Sequence, residues 1–599
     1  MTITTDETSV SAERRSLARV DHILTVTGAA RRRKGVLGRR SAMIVVLLAT
    51  VFAAVAGRLV MLGMVEVDER IEGVARDLIQ ASRPPILDRN GMVLALDVRV
   101  PSLYAEPRRI LDVDEAVEKL RTVLPDLDAD WLRQRLTGER GFAWIKRELT
   151  PAIEDQIMAL GIPGIAFIQE SRRFYPPGDE ISHVIGSTNV DNQGIGGMEL
   201  ALDRSELAVL QEVGLARGTE LEPKVLSIDM RVQHVMHEEL SAGMERFRAI
   251  AGAGVMLDVQ TGEVLAMVSL PDFDPNEPAT ALQKDRFNRI TNGTFELGST
   301  FKTITLAAAL DSGRVEIGDR IDARKGVRFG RFLLDHGRHE ILSVADVFRY
   351  SDNIGTIKIM QELGKDDLRA FLGSAGFDAR VGVELPERAA PSVPVAFSEV
   401  GAATASYGYG FAATPMHMAS AVAALMNGGN MIEPTLFRRS VAQAEPLYRR
   451  IVRPKTSQDM VALFRMNALL GSGRNMDAEA RGYRAGGKTG TAEKVIEGRY
   501  SKTRNITVFT SAFPLEAPRY AMLVMLDEPQ AENAQSTREA GWNVAGMSGR
   551  IISRIAPMLG IAPTFDPALD APLMDLVSPG RATGRLLDGV TPDEAAPTM

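Results

Sequence analysis

Phe295-Glu296-Leu297-Gly298-Ser299-Thr300-Phe301-Lys302 runs directly into Thr303-Ile304-Thr305-Leu306-Ala307-Ala308-Ala309-Leu310, and the reading of this stretch decides the fold around it. The second half is an apolar helical run that stops near Gly313, a residue suited to end a helix. Ser299 is expected at the first turn, where free backbone N–H groups and a partial positive charge favour an alkoxide or oxyanion. Lys302 follows three residues on, so its Cβ is expected about 5–6 Å from that of Ser299, on the same face. A lysine desolvated there, near other cations, can lose its proton and act as base to the hydroxyl. Alone, however, Ser-x-x-Lys describes a capped helix with a surface lysine just as well.

Two later stretches supply the support. Tyr350-Ser351-Asp352-Asn353 follows the turn Asp335-His336-Gly337. Ser351 can relay a proton toward a leaving amine, and the Asn353 amide can hold a peptide carbonyl. Gly486-Gly487-Lys488-Thr489-Gly490-Thr491 comes about 135 residues later. On an edge strand its small residues would let an extended peptide pair with the backbone. Lys488 adds positive charge for a terminal carboxylate, and Thr489 and Thr491 add hydroxyl contacts.

The same stretch has a rival reading. Gly482-Tyr483-Arg484-Ala485-Gly486-Gly487-Lys488-Thr489 satisfies the phosphate-binding pattern of P-loop ATPases, and Ala521–Glu528 resembles a strand ending in an acidic pair. A P-loop must leave a buried strand and open a helix. Here polar Gly471-Ser472-Gly473-Arg474-Asn475 lies upstream, and Gly490 and Gly498 interrupt any helix downstream. The ATPase reading is therefore set aside.

Composition narrows the field further. The chain of 599 residues allows several domains, and its net charge of −7 gives no basic domain of the kind that binds nucleic acid. It has no cysteine, which removes disulfides, thiolate metal sites and a cysteine nucleophile. His234 and His237 read as surface or packing residues. His336, His339 and Glu340 lack the spacing of a zinc motif and read as a turn. No metal or cofactor is expected.

Arg31, Arg32, Arg33, Lys34, Arg39 and Arg40 precede an apolar run from Ser41 to Val65 that only Arg58 interrupts. The run suits a single bilayer span, which takes about 20 residues. The basic flank would keep the N-terminus in the cytoplasm and put the rest of the chain across the inner membrane, in the periplasm. Ala54-Val55-Ala56 resembles a signal-peptide cleavage site. The apolar residues that continue beyond it favour a retained anchor.

The domain expectations follow: a disordered tail over 1–40, the anchor over 41–65, a pedestal over 66–220, a catalytic domain over 225–556 and a loosely ordered tail over 561–599. The pedestal carries turn signals at Asp88-Arg89-Asn90-Gly91, Arg173-Phe174-Tyr175-Pro176-Pro177-Gly178 and Gly194-Ile195-Gly196-Gly197-Met198-Glu199. These paired Gly and Arg turns read as a shaped surface. In the catalytic region Met230–Phe247 reads as a helix, and residues 254–259 and 262–268 as two strands about a Thr-Gly turn. Helix and strand signals are mixed rather than strictly alternating. That predicts an α/β (α+β) domain with a mainly antiparallel sheet flanked by helices.

Ser-x-x-Lys, Ser-Asp-Asn and Lys-Thr-Gly in this order are the trio of class A β-lactamases and penicillin-binding proteins. The chain resembles the class B penicillin-binding proteins over most of residues 41–556. Besides the trio, the resemblance rests on residues 88–91, Phe142–Arg147, Arg173, Gly197-Met198-Glu199, Tyr407-Gly408-Tyr409-Gly410 with Thr414-Pro415, and Asn427-Gly428-Gly429. It implies a peptidoglycan D,D-transpeptidase that is acylated on Ser299 by a D-Ala-D-Ala stem peptide and passes the acyl group to an amine. Lys302 and Ser351 would be catalytic, and Asn353, Lys488, Thr489, Gly490 and Thr491 would bind substrate. The N–H groups of Ser299 and Thr491 would form the oxyanion hole. It also implies acylation by β-lactams, and a membrane glycosyltransferase and division proteins as partners.

Leu297 stands where many relatives have proline, and His417 where many have glutamine; neither touches the reacting groups. The short pedestal resembles the septal, FtsI-like branch, with the elongation branch as the alternative. No segment resembles the deacylating glutamate motif of a class A β-lactamase. A β-lactam sensor differs from a transpeptidase only in transferring no acyl group to amines.

Overall fold

A computed structural model of the protein describes residues 43, 46–56, 58, 83–204, 222–394, 397–576 and 584–587. The expected tail over 1–40 lies outside the described residues, as does much of the anchor. Residues 46–56 are helical, with Val46, Leu47, Val51 and Phe52 exposed. Among the described residues no helix is long and apolar enough to cross a membrane. Met1–Ile79 and Gln80–Met599 form separate compact units.

The second unit is built on two antiparallel systems. In the pedestal, Val93–Ala105 pairs antiparallel with Ile165–Phe174 along its length and with Ala143–Lys146 near its end. Ile86–Leu87 turns back onto the start of that strand, with Leu87 opposite Val93. The Asn90-Gly91 turn was expected here, and Gly91 takes the positive φ of +89° that such a turn requires. Helices Val113–Val123, Ala129–Leu136 and Pro151–Ala159 close a small core around Leu103, Leu120, Leu132 and Ile145.

The catalytic sheet has five strands, all antiparallel. In spatial order they are Gly486–Ile496, Arg499–Phe513, Tyr520–Asp527, Ala251–Asp258 and Val264–Leu270. Side chains on successive residues face opposite ways, and helices cover both faces, so Tyr520–Asp527 is apolar on both faces up to its final aspartate. Ala521, Leu523 and Met525 face one core, with the helices Lys302–Ser312, Asn353–Leu363 and Pro415–Met426. Met522, Val524 and Leu526 face the other, with Met230–Phe247 and Val544–Met558. This is the expected antiparallel sheet with helices on both sides.

Two stretches carry more buried contacts than their sequences suggest. The Arg and Gly turns of the pedestal are partly interior: Arg173, Gly197 and Glu199 are buried, while Asn90, Gly91, Phe174 and Ile195 stay exposed. Arg173, 3% exposed, ion-pairs with Glu199 at 2.6 Å and Asp97 at 3.0 Å. Arg83 joins the same Glu199 at 2.7 Å and Asp203 at 2.6 Å. The glycines serve close packing: a methyl group on Gly197 would lie 2.3 Å from the Gly186 nitrogen. Long polar side chains at turns mark a surface only when their charges have no buried partner, and sequence order hides such partners.

The stretch after Ile561 is also not loose where described. Asp570 pairs with Arg465 and Arg484. Leu586–Leu587 adds parallel to Arg320–Asp322, and the Arg585 N–H donates to the buried Asp319 carboxylate at 2.9 Å. The composition is that of a tail; two specific acid–arginine contacts dock it.

Candidate active site

The two halves of the opening stretch separate at Lys302. Gly298–Phe301 is a 3₁₀ turn, and the α-helix runs from Lys302 to Ser312. Ser299 therefore lies in the tighter turn just before the helix rather than in its first α turn, and it is partly exposed. Gly298 takes φ +53°, and the Thr300 hydroxyl donates to the Leu297 carbonyl at 2.7 Å, which fixes the turn.

The Lys488 strand closes on this turn. Among the described residues Gly486–Ile496 is the sheet's edge, paired only with Arg499–Phe513, so the P-loop pattern lies partly in a strand that opens no helix. The fit between strand and turn depends on missing side chains. A methyl group on Gly490 would sit 2.4 Å from the Leu297 oxygen, and one on Gly298 would sit 2.7 Å from the Thr491 oxygen. The backbones of residues 298 and 491 are thus in contact, which brings the N–H groups beside Ser299 and at Thr491 into one neighbourhood. Gly408 (φ +92°) backs the turn from behind, where a methyl group would meet the Gly298 oxygen at 2.0 Å.

Ser351 sits at a helix junction. It ends Val344–Tyr350 in the left-handed region, at φ +56°, and Asp352 then caps Asn353–Leu363 through the Gly355 N–H at 2.7 Å. A non-glycine residue held there costs free energy that its surroundings must supply. Here both lysines converge on it. Lys302 Nζ donates to the Ser351 carbonyl, to Ser351 Oγ at 3.2 Å and to Asn353 Oδ1 at 2.6 Å. Lys488 Nζ donates to the same Ser351 Oγ at 2.9 Å and to the Thr489 carbonyl at 3.1 Å.

Both amines are fully buried. Burial pushes the Lys302 pKa well below the ordinary lysine value; the Lys488 charge adds to this, and Asp352 opposes it. Burial lowers Lys488 to about 7. Three acceptors around Lys302 suit an ammonium, while dehydration and the second amine oppose one, so its proton is weakly held. That is the condition for a lysine to exchange protons near neutral pH.

Lys302, Ser351, Asn353, Lys488 and Thr489 thus form one hydrogen-bonded cluster, and the turn that carries Ser299 packs against the same strand at Gly490 and Thr491. The sequence reading missed three supporting residues. Asp352 holds the Ser351 junction and also accepts the Arg338 N–H at 2.6 Å; an aspartate directly before a helix was a readable cap signal. Ser472 shares a hydrogen bond of 2.6 Å with the Thr489 hydroxyl, and the Phe348 ring lies 5.7 Å from Lys488 Nζ. No local pattern links either of these two to the strand.

Comparison with known proteins agrees with this geometry. Residues 252–544 match the penicillin binding protein transpeptidase domain, and residues 78–215 match the penicillin-binding protein dimerisation domain. The probable peptidoglycan D,D-transpeptidase FtsI of Caulobacter vibrioides is 36% identical over 493 residues, which is 81% of this chain and 82% of that one. The peptidoglycan D,D-transpeptidase FtsI of Escherichia coli K12 is 30% identical, over 81% of this chain and 86% of that one. Among solved structures, penicillin binding protein 3 of Mycobacterium tuberculosis, complexed with aztreonam, superposes with a TM-score of 0.62 at 21% identity, covering 81% of this chain and 98% of that one. The chain belongs to the class B penicillin-binding proteins. It is a serine D,D-transpeptidase of peptidoglycan cross-linking.

Proposed function

We propose that Ser299 is the acylated nucleophile, Lys302 its base and Ser351 the proton relay, with Asn353, Lys488, Thr489, Gly490 and Thr491 holding the substrate. The observation that carries this reading is the convergence of two buried amines on one hydroxyl, Ser351 Oγ, at 3.2 and 2.9 Å. Ser299 Oγ attacks the carbonyl of the penultimate D-alanine as its proton passes to Lys302. The oxyanion is met by the N–H groups of Ser299 and Thr491. The peptide C–N bond then breaks, and the leaving D-alanine takes a proton through Ser351. An amine of a second stem peptide attacks the ester, forms the cross-link and frees Ser299. A β-lactam enters the same first step through its ring amide. With Asn353 Oδ1 engaged by Lys302, its Nδ2 is the donor for a substrate carbonyl.

The septal role is supported by the FtsI names of the two relatives above; an elongation role is the alternative. Depletion of the protein separates the two, filaments indicating division and rounded cells elongation. The basic cluster and apolar run support a single-pass anchor over 41–65 with the catalytic domain in the periplasm. The domain limits read from the sequence stand as part of the same proposal, as do a membrane glycosyltransferase and division proteins as partners. Exchange of residues 41–65 for an unrelated spanning helix tests the anchor's part: lost growth with penicillin labelling intact supports a specific contact, and full rescue refutes it.

A further inference from the structure

The residues matched by the transpeptidase family end at 544, yet the chain past that point reaches back to the strand that carries Lys488. After the helix Val544–Met558, the Thr564 N–H donates to the Gly482 carbonyl at 2.6 Å. Phe565 packs on Gly482, where a methyl group would come within 2.7 Å of its ring. Asp570 then receives two arginines from the catalytic domain. Arg465 donates through Nε to Oδ1 at 3.1 Å and through a terminal nitrogen to Oδ2 at 2.7 Å, the paired geometry that fixes a guanidinium plane. Arg484 donates to Oδ1 at 2.8 Å.

Arg465 is the link inward. It lies on the helix Pro454–Leu470 and is 7% exposed. Its remaining terminal nitrogen pairs with Asp477 and donates to the Ala485 carbonyl at 2.9 Å. Two residues along the same helix, the Asn467 amide donates to the Gly487 carbonyl at 2.7 Å. Ala485 directly precedes the sheet's edge strand and Gly487 lies in it, and among the described residues no other strand pairs with its outer side. The helix therefore supplies the missing donors immediately before Lys488.

We propose that Asp570 is a positioning residue for the active site: it fixes the Arg465 guanidinium, which in turn holds the Ala485 carbonyl and the register of the Lys488 strand. Without this carboxylate, Asp477 is the remaining carboxylate partner of Arg465. The guanidinium then loses the bonds that fix its Nε and Nη2 side, and its plane is free to rotate and loosen the hold on Ala485. The stretch after Ile561 is in this view a working part of the catalytic domain.

The readout uses penicillin acylation, so it rests on the functional reading above. The full-length protein, Asp570→Asn, Asp570→Glu and a chain ending after Ala562 are compared in two measurements. One is the second-order rate of acylation by a fluorescent penicillin. The other is amide hydrogen exchange in Gly486–Ile496 against the central strand Ala251–Asp258. Asp570→Asn and the shortened chain are expected to acylate about tenfold or more slowly, since small displacements of a reacting constellation have effects of this order. Exchange should rise in Gly486–Ile496 and stay at the wild-type level in Ala251–Asp258, and Asp570→Glu should recover most of the rate. Wild-type rates in Asp570→Asn and the shortened chain overturn the proposal. So does exchange that rises equally in both strands, or failure of both altered chains to fold, because Asp570 would then serve general stability. A wild-type chain labelled away from Ser299 would sink the functional reading instead, and the exchange comparison would still decide the role of Asp570.

Discussion

Two of the molecule's buried charge clusters are treated in opposite ways. In the pedestal, Arg83 and Arg173 meet Asp97, Glu199 and Asp203. Burial works against the Arg83 charge, Glu199 and Asp203 more than offset it, and its pKa ends above the ordinary arginine value. In the catalytic site Lys302 and Lys488 are fully buried, but their hydrogen-bond partners are hydroxyl, carbonyl and amide oxygens, with no carboxylate among them. Both pKa values fall. A compensated cluster holds its protons and fixes geometry; an uncompensated one releases them and can do chemistry, at a cost in stability.

The contrast breaks most sharply at Lys302. Lys302→Met should slow acylation by penicillin roughly 1000-fold, within the range of a lost general base. Its thermal stability should hold or rise, because a strained buried amine has gone. Normal labelling by a folded variant would remove Lys302 from the mechanism. The reverse pattern is expected in the pedestal. Glu199→Ala leaves two buried guanidiniums short of a partner and should cost about 3–5 kcal/mol in chemical denaturation. The fraction that remains folded should acylate at the wild-type rate. A stability loss there comparable to that of an exposed ion pair would mean that the cluster is wetter than its burial implies.

Gly490→Ala tests the fit between strand and turn. The new methyl group would press on the Leu297 oxygen, and acylation should fall about tenfold or more while the fold persists. A further effect concerns pH. The unfolded chain holds the Lys488 proton up to about 10.4, whereas the folded protein releases it near 7. Between these values the unfolded state binds more protons, so Lys488 makes stability climb with pH by roughly 1 kcal/mol per unit. Lys488→Met should flatten that climb in denaturation curves taken across the window, and parallel curves would show that Lys488 is not dehydrated.

Much of the site was legible because each motif is short and carries its own chemistry. Ser299 and Lys302 share a turn, Ser351 and Asn353 flank a cap, and Gly486 to Thr491 are small enough for an edge strand. The antiparallel sheet was legible from the mixed order of strand and helix signals. What stayed hidden depended on distant pairs. Arg173 finds Glu199 only after the Val93–Ala105 strand has paired with Ile165–Phe174. Asp570 finds Arg465 across 105 residues. The 3₁₀ turn at Ser299 was missed for a related reason: its tightness comes from contact with Thr491 and Gly408, and the local sequence alone favours a plain helix start.

The most direct test of the catalytic account is the site of acylation itself. The wild-type protein and Ser299→Ala are treated with benzylpenicillin, and intact mass is followed by peptide mapping. One penicilloyl group should appear on the wild-type protein, on the peptide that contains Ser299, and none on a folded Ser299→Ala variant. An adduct on another residue, or an undiminished adduct on the variant, would contradict the account.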